Sequence, residues 1–179
     1  MTEKIQFGCS QASATINAPK SQIDLSEWMF TLTSEEYQAC ATGHQSASMG
    51  QLFDGKRMTI NVETMGNAHL VQHYIETTAK PDHVLGVSPN TAIWIKDGPF
   101  FTMEVHWDMQ VEEVNDGSCK LTCTVTLFTS DAGFQAVLNN PALKQSAENN
   151  FNEHINEETP LFAKDIERKA LARIWRKQN

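Results

Sequence analysis

The sequence is short of the features that tie a chain to metals, membranes or phosphate. Its four cysteines, Cys9, Cys40, Cys119 and Cys123, include no pair at CxxC spacing. Cys119 and Cys123 fall in a strand-like run, where residues four apart stand on the order of 13 Å apart, too far for a disulfide or a shared ion. Buried free thiols are therefore expected. No HExxH, glycine-rich phosphate loop or GxSxG elbow occurs, so metalloprotease, nucleotide and serine-hydrolase chemistry have no local signal. No metal site and no cofactor are expected. Basic residues are outnumbered, 14 Lys and Arg against 22 Asp and Glu, and the net charge of −8 argues against nucleic acid as a partner. Apolar runs stay well below the roughly 18 residues of a membrane span. The opening Met1-Thr2-Glu3-Lys4-Ile5 lacks the basic-then-apolar pattern of a secretory signal, so the expected compartment is the cytoplasm. Internal repeats, low-complexity stretches and linkers are also lacking, and 179 residues suit a single domain spanning 1–179.

What the chain does have is a C-terminal stretch, Pro141 to Trp175, with an apolar stripe at helical spacing. Leu143, Ala147, Phe151, Ile155, Phe162, Ile166 and Ala170 recur at intervals of three, four or seven. Lys144, Glu148, Asn152, Glu153, Glu157, Lys164 and Glu167 occupy the other faces. Arg168, Lys169, Arg173, Arg176 and Lys177 make a basic end that complements the helix dipole and is read as solvated. Pro160 implies either a kink in one helix or a second helix capped by Thr159.

Before that stretch the period is two. A first strand is expected over residues 5–18, ended by Pro19. Two short helices follow: one begins near Ser21–Asp24 and carries Leu25, Trp28, Met29 and Leu32, and one is opened by the Thr33-Ser34-Glu35-Glu36 capping box. Six strands are then expected at 46–53, 57–64, 68–78, 84–95, 100–114 and 119–129, separated by short turn signals that imply an antiparallel meander. Ser88-Pro89-Asn90 reads as a turn or as a bulge in one long strand. The alternation assigns dry faces to Met58, Ile60 and Val62, to Phe101 through Val111 at every second residue, and to Leu121, Cys123, Val125 and Leu127.

The order of one strand, two short helices, six strands and a long terminal helix resembles the helix-grip fold of the START-like (SRPBCC) superfamily, which includes birch-pollen-allergen relatives and polyketide cyclases. The Ile16-Asn17-Ala18-Pro19 end of the first strand is similar to that family's I-x-A-P pattern. The resemblance implies an α+β domain with a curved antiparallel sheet of about seven strands around the C-terminal helix, enclosing a cavity for a small hydrophobic or amphipathic molecule. Three functions are compatible with it: ligand binding, which leads; a polyketide cyclase or hydrolase activity in the same cavity; and a chaperone-activator-like interaction module. Whether the chain is an enzyme, and its oligomeric state, stay open. The cone-shaped barrel of nuclear-transport-factor relatives is a rival that normally ends in strands.

Among chemical candidates, Glu104, His106 and Asp108 share a strand face opposite a dry one and are expected to face solvent. His69 and His73 share a face with Val71 and Ile75, and which face of this strand points inward is left open. His154 and Glu158, four apart on the helix, suit an ordinary surface pair. The pocket is expected to draw on His73, Met103, Trp107, Phe151, His154 and Ile155. Phe151→Ala should then weaken ligand binding, and His73→Ala should affect binding more than stability.

Overall fold

In the computed structural model the described residues are 3–175; Met1, Thr2 and residues 176–179, including Arg176 and Lys177 of the basic end, lie outside them. The chain runs β1 (Ile5–Ile16), α1 (Leu25–Thr31), α2 (Ser34–Gln38), β2 (His44–Gln51), β3 (Arg57–Met65), β4 (Ala68–Lys80), β5 (His83–Ile95), β6 (Phe100–Asn115), β7 (Ser118–Thr129), α3 (Ala132–Leu138) and α4 (Pro141–Ala172). The strands form one antiparallel sheet in the order β1-β7-β6-β5-β4-β3-β2. Its two edge strands, β1 and β2, are thus consecutive in the chain and are joined by α1 and α2, while β2 to β7 form the expected meander. The sheet curves around α4, which closes its concave side.

Local chemistry accounts for the elements. Asp24 caps α1 by accepting from the Glu27 amide, and Thr33 and Glu36 complete a capping box at α2. Asp131 caps α3, a short helix not expected from the sequence. α4 is continuous through Pro160, whose ring lies on an exposed face. Ser88-Pro89-Asn90 is a bulge in one strand: the β5–β6 register shifts between Ser88 and Thr91, and the proline sits where no ladder donor is needed. No helix of the described residues is long and apolar enough to cross a membrane.

The core lies between sheet and α4. Phe162, Ile166 and Ala170 of the stripe are fully buried, and Trp28 of α1 packs edge-on against both Trp107 and Phe162. Gly86 lets α1 approach: a Cβ there would come within 3.0 Å of Tyr74 and 3.2 Å of the Met29 sulfur. The dry faces of β6 and β7 are as expected, but that of β3 is inverted. Thr59, Asn61 and Glu63 are buried, while Met58, Ile60 and Val62 are half-buried on the outer side. Polar groups face inward on β3 because partners meet them there. Other expectations also fail: Cys9 is exposed, and Lys169 of the basic end is buried against Glu36 and Asp165.

Arg57 pins α1 to the sheet, with its guanidinium 2.6 Å from Glu27, 2.9 Å from Glu76 and 5.0 Å from the Phe30 ring centroid. Burial would raise the Glu76 carboxyl, but hydrogen bonds from Arg57 side chain and backbone and the guanidinium charge hold it below its usual value. A carboxyl depressed in the folded state stabilises the fold above the unfolded value and loses that contribution as pH falls. Arg57→Met should therefore cost about 1.5 to 3 kcal/mol near neutral pH, and the deficit should shrink below the ordinary glutamate value of 4.5. Urea denaturation of both proteins at about pH 7 and about pH 3.5 checks this; a deficit that does not change with pH would exclude it.

Candidate functional site

The curved sheet and α4 do not meet everywhere. Between them lies a cavity of about 340 Å³. Its sheet wall carries Leu70, Ile93, Phe101, Met103, Val105 and Trp107, and its helical wall carries Phe134, Leu138, Phe151 and Ile155. Leu143 and Ala147, the first two residues of the apolar stripe, are exposed and also border the cavity, which places its mouth beside the first turns of α4. The alternation of β6 explains the sheet wall, since each second residue from Phe101 onward must point at the helix.

The opposite end is polar. Tyr37, Asn61, Glu63, Gln72, His154 and Glu158 line it, all buried. Glu63 is its centre: Oε2 accepts from the Tyr37 hydroxyl at 2.7 Å, and Oε1 accepts from the Gln72 amide at 2.8 Å. Two histidines converge on it. His154 Nε2 is 3.3 Å from Glu63 Oε2 and 3.3 Å from Glu158 Oε2; His44 Nε2 is 3.6 Å and 3.2 Å from the same two oxygens. The His44 ring lies flat on Tyr37, with centroids 3.7 Å apart, and its Nδ1 donates to the Tyr37 carbonyl at 2.7 Å.

His44 reaches this position through a change of parity. In the β2–β3 ladder His44 pairs with Glu63 and Ser46 with Val62, so Gln45 is an extra residue. Because of that bulge, Ala47 and His44, three apart, are both buried, and His44 stands beside its cross-strand partner Glu63 on the inner face. From the other side, α4 presents His154 and Glu158 one turn apart.

The mutual arrangement shifts the titrations. Burial alone would raise the Glu63 carboxyl, but close contact with His154, the charges of His154 and His44 and the Tyr37 hydroxyl hold it well below the usual carboxylate range. Burial alone would lower the His154 imidazole, but Glu158 and Glu63 raise it far above its usual value. Burial, with the same carboxylates added, pushes the Tyr37 and Tyr74 hydroxyls up, so both remain protonated donors. Gln72 Oε1 is buried without a hydrogen-bond partner among the described residues. His44, His154 and Glu158 bring three possible metal-ligand atoms within 4.8 Å of one another.

Of the residues expected at the pocket, Met103, Trp107, Phe151, His154 and Ile155 border the cavity and His73 does not. The inner face of β4 is Leu70, Gln72 and Tyr74, which puts His73 and His69 on the outer face, the former half-buried. The reading of His154 and Glu158 as a surface pair is overturned, since both are less than a tenth exposed. Glu104, His106 and Asp108 do lie on the outer face, Glu104 paired with Lys4 and His106, and Asp108 with His83. Tyr37, His44, Asn61, Glu63 and Gln72 were missed. The one sequence signal for them was the polar face of β3, Thr59, Asn61 and Glu63, assigned to solvent.

No protein-family model matches the sequence, and no curated protein matches it. Among solved structures, the Zhui aromatase/cyclase from Streptomyces sp. R1128 superposes with a TM-score of 0.60 at 8% identity, covering 94% of this chain and 96% of that one. A conserved protein from Geobacillus kaustophilus superposes at 0.52 and 14% identity, over 89% of this chain and 95% of that one. A START superfamily protein from Mycobacterium smegmatis gives 0.49 and 11%, over 92% and 97%. Likeness at such identities concerns architecture alone, and the architecture is that of the sheet and gripped helix described above: the chain has the helix-grip fold.

Proposed function

We propose that the protein binds a small amphipathic molecule in this cavity, with the apolar body between sheet and α4 and a polar head at the Glu63 end. The observation that carries the reading is the division of one cavity of about 340 Å³ into apolar walls and a single buried polar end. That volume sits at the lower bound of ordinary ligand sites, which are mostly apolar with a few placed polar groups. The apolar walls would supply affinity at roughly 25 cal/mol per Å² of ligand surface buried. The head is specified by Gln72: its amide nitrogen is committed to Glu63, so its unpartnered Oε1 calls for a donor, a hydroxyl or N–H, on the ligand. A second reading, a cyclase-type reaction on the bound molecule, is favoured by the His154 imidazole enclosed by two carboxylates at the same end.

The fluorescent probe 8-anilinonaphthalene-1-sulfonate tests the cavity. Saturable binding at one site per chain is expected. Met103→Trp, which fills the space, and Phe151→Ala, which removes a wall, should each weaken it about tenfold or more, a loss of about 1.4 kcal/mol or greater. His73→Ala, on the outer face, should bind as the parent does. Equal affinity in the parent and in Met103→Trp would place the site elsewhere.

A further inference from the structure

We propose that His44, His154 and Glu158 form a binding site for one divalent first-row transition ion, zinc by default, at the closed end of the cavity. The proposal departs from the sequence-based expectation of no metal, and it stands independently of what organic molecule the cavity takes.

The spacing is the first argument. With bonds of about 2.0 to 2.2 Å to imidazole nitrogen and carboxylate oxygen, donor atoms around a four-coordinate zinc lie about 3.3 to 3.6 Å apart. His44 Nε2 and His154 Nε2 stand 3.2 and 3.3 Å from Glu158 Oε2. Glu63 Oε2, at 3.6 and 3.3 Å from the same nitrogens, adds negative charge beside these three donors. Three donors from β2 and α4 thus lie within 4.8 Å of one another, which leaves the fourth position of a zinc site to water or a ligand head group.

Hydrogen bonding is the second and independent argument. A backbone carbonyl can only accept, so the bond to Tyr37 places the hydrogen of His44 on Nδ1 and turns Nε2 toward the cluster. A lone pair there would face two carboxylate oxygens, a repulsive arrangement unless positive charge stands between them. Yet neither His44 Nε2 nor His154 Nε2 makes a hydrogen bond of good geometry, although both are buried and oxygens are near. A carbonyl-anchored imidazole, held flat by an aromatic ring, is the outer support that metal-ligating histidines commonly have.

Charge and donor type select the ion. Two buried carboxylates, Glu63 and Glu158, stand within 3.3 Å of His154 Nε2, and their negative charge attracts a doubly charged ion. Imidazole and carboxylate donors suit zinc and its first-row neighbours, whereas magnesium and calcium prefer all-oxygen sites. Since Glu63, His154 and Glu158 all border the cavity, a ligand head group can reach the ion.

The test uses the full chain freed of metal with a chelator and titrated with Zn²⁺ or Co²⁺ alone. One ion per chain is expected, with the Co²⁺ absorption of a four-coordinate nitrogen and oxygen site. His44→Asn and Glu158→Gln should each weaken binding by about 100-fold or more, since loss even of outer supports costs about 10- to 100-fold. His106→Ala, on the outer face, should leave it unchanged. Because a substituted cluster can fail to fold, long-range ¹H–¹⁵N spectra of the unsubstituted protein give a second readout. One equivalent of Zn²⁺ should shift the Nε2 signals of two of the six histidines and spare the other four. Absence of stoichiometric binding, binding that survives both substitutions, or shifts confined to other histidines would overturn the site.

Discussion

Truncation of Trp28 to alanine is expected to cost about 3 to 5 kcal/mol, the range for deleting a large aromatic side chain from a core. For a domain of this size that is a fall in Tm of roughly 6 to 20 °C. Trp28 is fully buried in the middle of an aromatic cluster, with its ring centroid 5.9 Å from that of Trp107 and 4.9 Å from that of Phe162. It touches sheet and α4 at once, so its loss leaves a void that neither can fill alone. Its indole nitrogen also donates to Asp165 at 2.8 Å. Trp28→Phe separates the two contributions. Asp165 keeps Arg168 and Lys169 as partners, so most of the loss should come from the ring, and phenylalanine should recover the larger part. Thermal or urea denaturation of the three proteins decides; an alanine variant within about 1 kcal/mol of the parent would mean that α1 does not hold the core as described.

Glu63→Ala should have an effect of similar size for a different reason. Removing one partner of a buried charged cluster costs about 3 to 5 kcal/mol because what remains is buried and uncompensated. Here the Tyr37 hydroxyl and the Gln72 amide lose their acceptor, and His154 and His44 lose one of their two carboxylates. Glu63→Gln keeps the shape and one acceptor oxygen but not the charge, so it should fall between alanine and the parent. Tyr37→Phe, which removes a single donor, should cost only about 1 kcal/mol. The series is measured by urea denaturation with chelator present, so that metal does not contribute. An alanine variant as stable as the parent would show that the cluster is not held together through Glu63.

Both predictions concern residues whose roles had unequal visibility in the sequence. Trp28 could be assigned to an early helix from its spacing to Leu25, Met29 and Leu32, and the β6 and β7 faces could be assigned from alternation. The stripe of α4 was equally plain from Phe151 to Ala170. These features are local: side-chain direction follows from the 2.0 and 3.6 periods wherever one face is uniformly apolar. The element order follows from the same signals, which is why the helix-grip architecture is legible in the sequence.

The polar end of the cavity was not legible, and the reasons are physical. On β3 the alternating faces are apolar (Met58, Ile60, Val62) and polar (Thr59, Asn61, Glu63), and transfer free energy alone sends the apolar one inward. The polar one is buried because Tyr37 of α2, Gln72 of β4 and His154 of α4 come from distant parts of the chain to satisfy Glu63. On β4, His73 and Gln72 compete for the inner face, Val71 and Leu70 are about equally apolar, and Ile75 is more apolar than the Tyr74 that is buried, so pairing with β3 and β5 rather than hydropathy settles the parity. His44 faces inward only through the extra residue at Gln45, and a one-residue bulge has no periodic signature. The sequence by itself thus determined the strands, the helices and the apolar walls, each set by neighbours along the chain. Which polar groups meet at the end of the cavity was decided by the tertiary structure, because a buried charge is tolerable only where its partners have already been brought together.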